Sequence, residues 1–73
     1  MDLLVEARDG DIIVTLPYTN YTVTYYKPAN SPQLLAKRFP GKDDPHAPMT
    51  HAGFLARARK LANDKARELG WIV

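Results

Sequence analysis

Three groups of residues in this 73-residue chain have types and spacings that could do chemistry. The largest is basic. Arg57, Arg59, Lys60 and Arg67 fall within one helix-length stretch, and Lys37, Arg38 and Lys42 precede them. Cations held at fixed positions along a helix can neutralise successive phosphates, giving nucleic-acid affinity that ignores sequence and weakens with salt. The same residues also read as a solvated helix face. Asp64 stands four positions after Lys60 and three before Arg67, and Glu68 stands three after Lys65. Pairs at those spacings each stabilise a helix by only about 0.2–0.5 kcal/mol.

The second group is Asp43, Asp44, His46 and His51. Carboxylates and imidazoles can ligate a divalent ion, but this spacing fits no zinc or calcium pattern, so neither a metal site nor a cofactor is expected. The third is aromatic: Tyr18, Tyr21, Tyr25 and Tyr26 crowd one strand-like segment and the turn before it. Exposed aromatics can stack on unpaired bases, yet alternation sends Tyr21 and Tyr25 to the core and leaves Tyr26 and Tyr18 for a partner. Catalysis has little to work with. There is no cysteine, the one serine, Ser31, reads as a cap, and no glycine-rich phosphate loop exists. The expectation is a protein that is not an enzyme.

The elements that must position these groups begin with a strong hairpin signal. Asp9-Gly10 supplies the two positive φ angles of a type I′ turn. Taking those two residues as the loop pairs Arg8 with Asp11, Ala7 with Ile12, Val5 with Val14 and Leu3 with Leu16, so every apolar partner shares a face. A four-residue turn, Pro17 to Asn20, then pairs Leu16 with Tyr21, Val14 with Val23 and Ile12 with Tyr25 on that same face. The strands predicted are 2–8, 11–16 and 21–27.

Five of the six prolines lie between Pro28 and Pro48, so no long element can cross that region. Within it, Ser31 as N-cap, Pro32 at the first position and Pro40-Gly41 as a stop predict a short helix over 32–39, seated by Leu34, Leu35 and Phe39. A loop follows over 40–49. Thr50 then caps a helix over 51–69 that ends at Gly70. Its apolar stripe is Phe54, Ala58, Leu61, Ala62 and Leu69, with Leu55 and Ala66 at the margin and Lys65 inside it.

The fold class expected is therefore α+β in one small domain: a three-stranded antiparallel β-meander, a short connecting helix, and a long C-terminal amphipathic helix packed on one sheet face. Strands 3–8 and 21–27 would be the open edges. Net charge is +2, unevenly placed. Up to Tyr26 one cation, Arg8, stands against Asp2, Glu6, Asp9 and Asp11, whereas from Lys27 onward nine cations face four carboxylates. A small core without disulfides favours self-association, and Trp71-Ile72-Val73 is too apolar to dangle. The reading is a cytoplasmic protein-interaction module, self-associating as a homodimer or docking another small protein. Its contact residues would be Trp71, Ile72, Val73 and Tyr26. The alternative is nucleic-acid binding through Lys37, Arg38, Lys42, Arg57, Arg59, Lys60 and Arg67. No membrane partner is expected, since no apolar run approaches the roughly 20 residues a span needs.

Overall fold

A computed structural model describes residues 3–40, 42 and 44–73. Four antiparallel strands, β1 (Leu4–Arg8), β2 (Asp11–Thr15), β3 (Thr22–Tyr26) and β4 (Leu35–Arg38), stand in the order β1-β2-β3-β4. One helix, α1 (His51–Glu68), covers one face of that sheet. The first turn has Asp9 at φ 51° and Gly10 at φ 83°, as a type I′ turn requires. It sets the expected register: Arg8 opposite Asp11, Ala7 opposite Ile12, Val5 opposite Val14. The second hairpin pairs Val14 with Val23 and Ile12 with Tyr25, and the Leu16 amide donates to the Tyr21 carbonyl at 3.0 Å. The predicted first strand began at residue 2, which lies outside the described residues.

Alternation then builds the core. Ile12, Val14, Leu16, Tyr21, Val23 and Tyr25 all point to the covered face and are buried. From α1 they receive Phe54, Ala58, Ala62 and Ala66, all fully buried. Spaced at four, these present mostly methyl groups, so the helix backbone lies close over the sheet. The stripe is rotated from the predicted one. Leu61 is only half-buried and Leu69 is exposed, while Ala66 and Leu55 pack inward. Lys65 is half-buried and reaches Glu68 at 3.3 Å.

The short helix expected over 32–39 is not formed; the segment carries β4 instead. Ser31 does not cap a helix: its hydroxyl accepts from the Gln33 amide at 3.2 Å, a local turn. The reason for the strand is non-local. A helix this short is marginal in isolation, and β3 offers an edge of unpaired backbone groups that a strand can satisfy. Leu34 and Ala36 then point to the core while Leu35 between them is exposed, with period two rather than 3.6, and Phe39, just past the strand, is exposed as well. Consequently the edges are β1, as expected for 3–8, and β4, while the strand expected at 21–27 to be the second edge is interior. The β3–β4 register slips between Thr24 and Tyr25, Thr24 facing Arg38 and Tyr25 facing Ala36, so Lys37 is the extra residue of a bulge. Gly41, part of the predicted helix stop, lies outside the described residues.

Both ends of α1 are chemically defined. The Thr50 hydroxyl accepts from the Gly53 amide at 3.0 Å. At the far end the Trp71 amide donates to the Ala66 carbonyl at 2.8 Å and the Gly70 amide to the Arg67 carbonyl at 3.1 Å, with Gly70 at φ 78°. That is a Schellman closure. It turns the chain back so that Trp71 and Ile72 pack on the core while Val73 stays exposed. Among the described residues no helix is long and apolar enough to cross a membrane.

Candidate functional site

Beside α1, on the flank toward β4, the surface opens into a groove of about 680 Å³. One wall is a helical column at four-residue spacing: Leu55, Arg59, Asn63 and Arg67. The other is the segment from Pro32 to Ala36, continued by Phe39. Ile72 and Val73 close one side, brought there by the Schellman turn, and Tyr25 contributes from the sheet. Its volume lies in the range of binding sites generally, roughly 300–1,000 Å³.

The electrostatics are one-sided. Arg59 and Arg67 both line the groove, and Lys60 joins them in an adjoining depression that also includes Asp64. Asp64 accepts from Arg67 at 3.3 Å, both side chains being more than half exposed, so solvent keeps that pair weak. Arg59 forms no salt bridge among the described residues. Burial pushes the Tyr25 phenol above its ordinary value, and the Arg59 cation opposes the shift. The groove thus holds a neutral hydroxyl and guanidinium groups beside aliphatic walls.

The structure divides both sets of sequence-derived candidates. Of the partner-contact residues, Ile72 and Val73 line the groove, Trp71 packs on the core, and Tyr26 lies on the uncovered sheet face between Asp11 and Leu35. Of the basic residues, Arg59, Lys60 and Arg67 gather at the groove and its rim. Arg57, two positions from Arg59, faces away from that flank. Arg38 stands opposite Thr24 on the uncovered sheet face, and Lys37 reaches Asp11 at 3.3 Å. Lys42 is exposed in the loop. The cations therefore do not form a single stripe.

The Asp/His cluster has a different job. Asp44 accepts from the Asn20 amide at 3.0 Å and the His46 amide at 2.9 Å, and its own amide donates to the Tyr21 hydroxyl at 3.2 Å. These amide bonds hold its carboxyl below the usual carboxylate range. Asp44 clamps the proline-rich loop to the β2–β3 turn. His51 sits edge-on to Tyr21, ring centroids 5.9 Å apart, and its Nε2 lies 3.3 Å from the Pro40 carbonyl. Asp43, the fourth member, lies outside the described residues.

Tyr25, Leu34, Leu55 and Asn63 were missed as groove residues. The column Leu55-Arg59-Asn63-Arg67 is readable at helical spacing, but a groove needs two walls, and the second is β4. Comparison with known protein families, characterised proteins and solved structures found no match.

Proposed function

We propose that this protein is a non-enzymatic interaction module that docks a segment of a partner protein in the groove between α1 and β4. One observation carries the reading: the aliphatic and tail residues, Leu34, Leu55, Ile72 and Val73, share a concave surface with Arg59 and Arg67. Apolar floors with arginine at the rim are what protein contacts use. Arginine is enriched at interfaces, and desolvated apolar anchors provide most of the affinity. The dispersal of Arg57, Lys37 and Arg38 to other surfaces favours this reading over nucleic-acid binding, which needs a concentrated basic stripe.

The test is binding of a labelled hexapeptide, Glu-Glu-Leu-Leu-Glu-Glu, which in extended form presents carboxylates and a leucine on the same side, followed by fluorescence anisotropy. Arg59→Glu is expected to weaken binding by about tenfold or more, and Arg57→Glu to leave it within about twofold. An all-Lys counterpart of the peptide should not bind. Equal loss in both variants, or displacement of the peptide by random duplex DNA, would contradict the reading, the latter in favour of a nucleic-acid partner.

A further inference from the structure

Resting on that reading, the groove's geometry narrows the segment it can take. We propose that the docked segment is extended, carries two carboxylate side chains four residues apart, and places an apolar side chain midway between them. Eight residues of helix separate Arg59 from Arg67, about 12 Å at 1.5 Å per residue. An extended chain covers about 13 Å in four residues, and residues i, i+2 and i+4 point to one side of it. Carboxylates at i and i+4 therefore reach both guanidinium groups together, each able to form the forked, charge-assisted bonds that arginine favours. Spacings of two or six residues, about 7 and 20 Å, match that separation less well.

The middle of the groove suits the middle of such a segment. Leu34 and Ile72 supply apolar contact for the side chain at i+2. Asn63 stands midway between the arginines on the same helical column, with an amide that can both donate to and accept from a passing backbone. Simple strand addition is opposed by β4 itself, which is four residues long, bulged, and carries Lys37 and Arg38. Those are devices that protect an edge from pairing. Recognition then rests on side-chain positions, which is why spacing matters. The exposed Asp64 competes for Arg67, and an incoming carboxylate must displace or share that contact.

The experiment uses terminally blocked, labelled heptapeptides of one composition, two Glu, one Leu and the rest Ser and Gly. In one, Glu is second and sixth with Leu fourth; in its isomers the two Glu are adjacent or two apart. The four-apart peptide is expected to bind roughly five- to tenfold more tightly than either isomer. Arg67→Gln should bring it down to their level, whereas Arg57→Gln should not. Equal affinity across the spacings, all lost in Arg59→Glu, would overturn the spacing rule while leaving the groove as a docking site. Binding that persists unchanged in both Arg59→Glu and Arg67→Gln would overturn the groove reading itself.

Discussion

Tyr18 holds φ 66° at the third position of the turn Leu16-Pro17-Tyr18-Thr19, closed by a 3.3 Å bond from the Thr19 amide to the Leu16 carbonyl. That position belongs to Gly or Asn in a type II turn, and a non-glycine residue there costs roughly 1–2 kcal/mol. The ring gains nothing in return from its own chain, being 98% exposed. Tyr18→Gly is therefore expected to raise stability by about 0.5–1 kcal/mol after the entropy of the added glycine is counted, a rise of roughly 3–6 °C in melting temperature. Two other residues make stability depend on pH. For Tyr25, burial raises the folded phenol above the unfolded value of 10.0, so its contribution is complete below pH 10 and is lost as pH rises through the folded value. For Asp44, the amides of His46 and Asn20 lower the folded carboxyl below 3.8, so its contribution is complete above that pH and is lost as pH falls through the folded value. Thermal melts across both limbs should show Tyr25→Phe flattening the alkaline decline and Asp44→Asn the acid one.

At the scale of elements, α1 depends on small side chains and on its two ends. Ala62, fully buried against the sheet, leaves no room for a longer residue, so Ala62→Leu should cost about 1–3 kcal/mol by forcing helix and sheet apart. Gly70→Ala, placed at φ 78°, should cost about 1 kcal/mol and loosen the Ile72 and Val73 side of the groove. Denaturant unfolding with peptide titration separates those effects. The hairpins were legible because their information is local: Asp9-Gly10 dictates the turn, and alternation dictates the faces. The same holds for α1, bounded by Thr50 and Gly70. β4 was not legible for the opposite reason. Leu35-Ala36-Lys37-Arg38 are good helix formers, and only the open edge of β3, more than eight positions back in the chain, makes them a strand. Since β4 is one wall of the groove, half of the candidate site was hidden with it, although Arg59, Arg67, Ile72 and Val73 were already marked by residue type.

For the whole molecule, a sheet with one helix on one face leaves the other face uncovered. There Leu4 is exposed, and Glu6, Arg8, Asp11 and Lys37 are engaged in salt bridges along and across the strands. Among the described residues Arg38 is the one cation on that face without a salt bridge, too little charge for a strongly charged partner. The groove is different: its guanidinium groups sit over apolar walls, and its shape is set jointly by the helix, the bulged strand and the turned-back tail. The most direct test is an amide chemical-shift map of the full chain titrated with the Glu-Glu-Leu-Leu-Glu-Glu hexapeptide. Shifts confined to Leu34–Ala36, Leu55–Arg67 and Ile72 are the expected result. Shifts centred on Leu4, Ile13, Tyr26 and Arg38, or spread evenly over the surface, would contradict the docking groove.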